Sequence, residues 1–184
     1  LKVEFDISVH GKNPEHGVFS PDGKLMLVSA EEADLVDVLD IEKRKQVGSI
    51  KVGERPRGIA FSPDGKKAYV AVESASFLVA IDIAERKVVG KQSVGKRTAG
   101  VVVSPDGAYV FATNGGDANV SMVDTATFKV VENIAIGQRP WNMGFSPDGK
   151  KLYIASGRSG SVSVVDIASR KMVKEIPTGK LPWG

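Results

Sequence analysis

The chain has 184 residues, 42% of them hydrophobic and 26% charged, a balance that excludes an unfolded polar segment and allows one ordinary buried core. Its 25 Lys and Arg against 22 Asp and Glu leave a formal net charge of +3, dispersed along the chain and therefore no footprint of nucleic-acid binding. Cysteine is absent, which excludes disulfides, thiol nucleophiles and thiolate metal sites; no apolar run reaches the roughly 20 residues of a membrane-spanning helix.

Along the chain, Lys2–Val9 aligns with Arg44–Val52, so residues 1–13 read as the last strand of a preceding unit. Four units follow, 14–55, 56–97, 98–139 and 140–181, and residues 182–184 open another. Ser-Pro-Asp-Gly stands at 20–23, 62–65, 104–107 and 146–149, always 42 apart, with no insertion breaking the register. Asp40, Asp82, Asp124 and Asp166 recur in step, as do Gly53, Gly95, Gly137 and Gly179. Within a unit the apolar pattern has period 2 and strand length. Residues 58–94 show it: Gly58–Ser62, Lys67–Val72, Phe77–Ile83 and Lys87–Val94 are four expected strands joined by short links, hence antiparallel neighbours.

The recurring polar residues have turn chemistry. Pro presets φ, Asp bonds nearby backbone amides, and Gly tolerates φ > 0. Asp22, Asp64, Asp106 and Asp148 are assigned to the first hairpin turn, and Asp40, Asp82, Asp124 and Asp166 to the turn after the third strand. A residue needed once per active site has no reason to recur in every unit. Val70, Val72, Leu78, Ala80 and Ile81 make a unit apolar on both faces, so units must stack. A four-stranded antiparallel unit of this length that stacks is the blade of a β-propeller; a β-sandwich imposes no strict period. The fold class is all-β, one β-propeller segment over residues 1–184.

The stretches RPRGIAFSPDGKKAYVAV, RPWNMGFSPDGKKLYIAS and VSVVDIASRKMV resemble the YVTN type of propeller repeat. The links GQRPWN and GKLPWG are similar to those of bacterial propellers associated with pyrroloquinoline-quinone (PQQ)-dependent catabolism. The resemblance implies a ring of seven or eight blades and a periplasmic or extracellular setting. It also implies association with a PQQ- or haem-containing partner, with no cofactor held in this segment. Four blades with an orphan strand at one end are expected to be a window of a longer array. The alternatives are a ring closed by self-association and a closed four-blade propeller.

For chemistry, His10, Glu15 and His16 lie within seven residues and are weak candidates for a divalent metal; as loop residues they need have no such role. No G-x-S-x-G or phosphate loop exists, and no catalytic residue is assigned. The most suggestive group is positional. Arg55, Arg97 and Arg139 share one column of the inter-blade links, and Arg57, Trp141 and Trp183 share a second. In a propeller these links open together around the channel mouth, where guanidiniums beside indoles suit an anionic ligand. Solvated or stacking arginines would look the same in sequence. Pro14, Pro56, Pro140 and Pro182 recur in the links, interrupted by Thr98, so that link is expected to be looser. The function expected is a non-catalytic scaffold binding a partner protein or small anionic ligand through this face. The alternative is a propeller domain of a quinoprotein- or haem-type redox enzyme.

Overall fold

In the computed structural model, which describes residues 2–183, sixteen strands form four antiparallel sheets with no helix among the described residues. The first blade comprises β1 (Pro14–Phe19), β2 (Leu25–Ala30), β3 (Leu35–Asp40) and β4 (Lys45–Lys51). The second comprises β5 (Pro56–Phe61), β6 (Lys67–Val72), β7 (Phe77–Asp82) and β8 (Lys87–Ser93). The third comprises β9 (Thr98–Val103), β10 (Tyr109–Asn114), β11 (Asn119–Asp124) and β12 (Lys129–Ala135). The fourth comprises β13 (Pro140–Phe145), β14 (Lys151–Ser156), β15 (Ser161–Asp166) and β16 (Lys171–Pro177). Each sheet is a simple meander in sequence order, so the fold is a β-propeller segment.

The turns follow from local chemistry. In the first, Ser20 Oγ donates to Asp22 Oδ1 at 2.6 Å and accepts from Leu25 N at 2.9 Å, and Lys24 N donates to Asp22 Oδ1 at 3.1 Å. Gly23 takes φ +71°, a conformation that costs glycine nothing. The same bonds recur at Ser62–Asp64, Ser104–Asp106 and Ser146–Asp148. The serine hydroxyl first, and the backbone amide second, hold Asp22, Asp64, Asp106 and Asp148 below the usual carboxylate range. In the other turn, Asp40, Asp82, Asp124 and Asp166 each accept an amide three residues on, at 2.7–2.8 Å.

Apolar faces meet between blades. Leu27, Val36, Val38, Ile50 and Val52 of the first blade bury against Ile59, Phe61, Val70, Val72 and Ile81 of the second. Tyr69, Leu78 and Ala80 face Val101, Val110 and Val123; Phe111, Val120 and Met122 face Leu152, Ile154 and Val165. Burying one such side chain contributes roughly 2 kcal/mol, so these seams, rather than surface charges, hold the stack. On the outer rim every fourth strand carries a β-bulge, where the pairing slips between Val38 and Leu39, Ala80 and Ile81, Met122 and Val123, and Val164 and Val165. A bulge there blunts an otherwise open sheet edge.

Four expectations change. Residues 2–10 form no strand, so the strand expected within 1–13 is not formed among the described residues. A fourth strand takes its ladder from the third strand of its own blade, and none lies beside this segment. It is held instead by His10 N to Gln46 Oε1 (2.8 Å), Gly11 N to Asp37 Oδ2 (2.8 Å) and Arg44 over the Phe5 ring (4.5 Å). Second, the strand expected from Gly58 begins at Pro56, because Pro56 pairs with Val72 across an irregularity that skips to Ile59. Third, the Thr98 link is not looser: Thr98 is fully buried and its hydroxyl donates to Thr113 O at 3.1 Å or Asn114 Oδ1 at 2.9 Å. Hydrogen bonding does there what the proline ring does elsewhere. Fourth, the stacking expected of units apolar on both faces is incomplete at the two ends, where Phe19 and Tyr153 are 56% and 39% exposed, since no blade among the described residues covers the outer faces of the first and last sheets. Leu1 and Gly184, which fall within the expected flanking units 1–13 and 182–184, lie outside the described residues.

Candidate functional site

The first strands of the blades, β1, β5, β9 and β13, lie side by side along the inner edge, which brings the four links together at one mouth. Each link passes through the left-handed region at one column: Asn13, Arg55, Arg97, Arg139 and Leu181 have φ of 52–57°. Because asparagine and leucine adopt it too, the conformation belongs to the link and is no mark of arginine function.

Glu73, 5% exposed, is the hub. Its Oε2 accepts from Arg57 Nε at 2.8 Å and lies 3.9 Å from Arg55 Nη2. Its Oε1 faces Arg97 Nε at 3.6 Å and Arg139 Nη2 at 3.9 Å, both beyond hydrogen-bond reach. Arg57 also donates to Glu15 Oε1 at 2.6 Å and lies 3.4 Å from Glu31 Oε1. Arg55 donates to Glu31 through Nε at 2.8 Å and again through Nη2. Arg55 and Arg57 are therefore each held by two hydrogen bonds to carboxylates. Arg97 and Arg139 make no side-chain hydrogen bond among the described residues, although the Arg139 side chain is only 13% exposed.

The electrostatics agree. Burial pushes the Glu73 carboxyl up, but the hydrogen bond and charge of Arg57, with Arg55 and Arg139, bring it below its usual value. Burial lowers the Arg57 guanidinium, and Glu73, Glu15 and Glu31 outweigh it and raise it. Arg139 is lowered, by burial first and then by the like charge of Arg97, with only Glu73 opposing.

Arg139 stacks on Trp141 (4.3 Å to the ring centroid), and Trp141 stacks on Trp183 (5.1 Å, 17° between planes). Below the indoles a pocket of about 130 Å³ is lined by Glu15, His16, Arg57, Trp141, Asn142 and Trp183. Asn142 N donates to Trp183 O at 3.2 Å, which ties residues 181–183 to β13. Burial lowers the His16 imidazole, partly opposed by Glu15 and by the Ile59 backbone.

The six link residues singled out by sequence thus share one mouth, in two unlike halves. Glu15 is engaged by Arg57, and His10 contacts Gln46 through its backbone. Among the described residues no three His, Asp or Glu side chains are grouped to hold a metal. What sequence reasoning missed is Glu31 and Glu73. Their signal was a column reading Glu31, Glu73, Gly115, Gly157, just after the second strand of each blade. A carboxylate stands there in two blades and nothing in the other two.

Stacked four-stranded meanders with an inner mouth of links define the β-propeller class. A sequence model of the Lactonase, 7-bladed beta-propeller family matches residues 16–176, and the chain belongs to that family. No curated protein matches the chain. Among solved structures it is similar to Kuenenia stuttgartiensis Hydrazine Synthase, at 27% identity and a TM-score of 0.87 over 93% of this chain and 52% of that one. The chain thus spans about half the length of that relative.

Proposed function

We propose that this segment is a non-catalytic propeller scaffold that binds a small anionic ligand at its link face, on the side of Arg97 and Arg139. One observation carries the reading: the Arg139 side chain, mostly buried and packed on Trp141, has no hydrogen-bond acceptor among the described residues, while Arg55 and Arg57 in the same two columns are each bound by carboxylates. A guanidinium fork with free donors matches a carboxylate or phosphate. The YVTN resemblance supports a periplasmic or extracellular setting and a PQQ- or haem-containing partner. Trp141 and Trp183 are the only tryptophans, so their fluorescence reports on this face alone. Titration with benzoate is expected to quench it saturably, and Arg139→Gln to abolish the effect. Equal quenching of the variant sinks the reading.

A second reading, a propeller domain of an enzyme, is favoured by the His16 pocket. An imidazole kept neutral by burial can accept a proton at neutral pH, and Arg57 lies on the same wall. The name of the family and the hydrazine synthase likeness support the same class. Hydrolysis of a simple lactone that His16→Asn abolishes would favour it, as would a visible haem or quinone band from the purified protein. With neither, it fails.

A further inference from the structure

A different feature lies at the opposite, Ser-Pro-Asp-Gly end of the stack, in the seam between the second and third blades. A pocket of about 340 Å³ opens there between Tyr69, Asp64, Lys66 and Lys67 of one blade and Asp106, Gly107 and Thr125 of the next. The repeat explains why this seam is more open than the preceding one, where Asp22, Leu25, Asp64 and Ile83 line a cavity of only about 190 Å³. The column Ile41, Ile83, Thr125, Ile167 loses its isoleucine here, and the column Lys24, Lys66, Ala108, Lys150 loses its lysine. The Thr125 hydroxyl is engaged by the Ser-Pro-Asp-Gly turn of its own blade, donating to Gly107 O at 2.7 Å or Ala108 O at 3.1 Å.

The floor is Tyr69, only 2% exposed. Its ring stacks on Phe128 (centroids 6.0 Å apart). Its hydroxyl has no hydrogen-bond partner among the described residues, yet no buried side-chain oxygen is left unpaired. The hydroxyl is therefore the part of Tyr69 that reaches the pocket. Leu27 and Phe111 occupy its column in the two flanking seams, so the polar floor and both truncations coincide in one seam. Burial, and then the charge of Asp64, raise the tyrosine pKa and keep the hydroxyl a donor.

The rim carries both signs. The Oδ1 atoms of Asp64 and Asp106 are consumed by their turns. Among the described residues Asp106 Oδ2 has no partner, and Asp64 Oδ2 has only Lys66 Nζ, 4.0 Å away. The Lys67 ammonium has none among them. We propose that this seam binds a small zwitterion of the α-amino-acid type, its carboxylate received by the Tyr69 hydroxyl and the Lys66 and Lys67 ammoniums, its ammonium by the free oxygens of Asp64 and Asp106. The pocket has room for a small ligand of this class, and a singly charged molecule leaves one half of the rim unmatched.

NMR titration of the full chain with glycine, acetate and ethylammonium tests this. Glycine is expected to shift the amides of Gly107, Ala108 and Thr125 saturably, and to bind about tenfold or more tightly than either singly charged half, the worth of one charge-assisted contact. Tyr69→Phe is expected to weaken glycine about fivefold, the worth of one neutral hydrogen bond. Thr125→Ile restores the residue of the other three blades and is expected to abolish binding without lowering the unfolding midpoint. Absence of a glycine shift, equal binding of acetate and glycine, or unchanged affinity in both variants overturns the proposal. If Thr125→Ile lowers the midpoint, Tyr69→Phe decides alone.

Discussion

The two halves of the link mouth start from one repeat and end in different chemistry. On the side of the first two blades, Glu31 and Glu73 follow the second strand, and Arg55 and Arg57 are bound by carboxylates at 2.6–2.8 Å. On the side of the last two blades, Gly115 and Gly157 take those places, and Arg97 and Arg139 have only the far oxygen of Glu73 at 3.6 and 3.9 Å. Arg57 explains why Glu73 does not simply pair with Arg97. It stands where the first blade has Glu15 and captures the Glu73 carboxylate first. Arg55 thus has Glu31 24 positions before it and is bound, Arg139 has Gly115 there and is available, and Arg97 is available because the Glu73 before it is taken by Arg57.

Removing the hub should have the largest effect. Glu73→Ala takes the hydrogen-bonded carboxylate from the mostly buried Arg57 and leaves four guanidiniums facing one another. Breaking a pair of this kind is expected to cost about 3 kcal/mol. It reads as a lower urea midpoint with unchanged slope. A loss no greater than that of an exposed ion pair would show that water already shields the cluster, and that the halves differ less than their distances suggest.

Making the halves alike is the sharper test. A Cβ built on Gly115 falls 2.8 Å from Arg139 Nη1, the movable end of that side chain, and the glycine is not at positive φ. Gly115→Glu therefore supplies the third blade with the carboxylate of the first two. Stability is expected to rise by about 1 kcal/mol, the gain from one charge-assisted hydrogen bond. Benzoate quenching of the two tryptophans is expected to disappear. Persistent quenching would mean that Arg139 is not the receiving group.

The blade and its turns were legible because they rest on local chemistry repeated four times. Ser20 meets Asp22 within its own turn, so four copies of the tetrapeptide are four reports of one geometry. The link arginines were legible as a column for the same reason. Their pairing was not, since Arg57 reaches Glu15 from 42 positions away and nothing in the period tells which carboxylate a long side chain meets. Thr98 misled because a missing proline reads as lost rigidity, whereas Asn114, sixteen residues on, supplies the bond. The seam pocket above Tyr69 needed three columns compared together, since each break alone is an ordinary substitution.

The pH dependence divides the mouth in a second way. The folded-state pKa of Glu73 lies below its unfolded value of about 4.3, so its contribution is present above that value and lost as pH falls through the folded pKa. His16 runs in the same direction for the opposite reason. Burial holds its pKa below the unfolded value of about 6.5, so acid favours the unfolded chain, which protonates first. Stability is expected to fall in two stages on acidification, the first below about pH 6.5. His16→Asn should remove only the first stage, and Glu73→Gln should shrink the second without removing it, since Asp22, Asp64, Asp106 and Asp148 are also held below the usual carboxylate range, as followed by thermal melts across pH. A first stage that survives His16→Asn assigns it to another group.

The smallest effect belongs to Arg55, and it separates geometry from energy. Arg55 donates twice to Glu31, the most complete ion pair at the mouth, yet its side chain is 47% exposed. Solvent screens such a pair, and its worth is set by exposure more than by the number of bonds drawn. Arg55→Gln is expected to cost only about 0.5 kcal/mol, shrinking further at high salt. Arg57, 14% exposed and joined to the same carboxylates, should cost several times more on the same substitution, because Glu73 is left buried without its donor. Equal losses for the two, measured as urea midpoints at low and high salt, would mean that burial does not rank the arginines of this mouth. The contrast between the halves would then rest on the hydrogen-bond count alone.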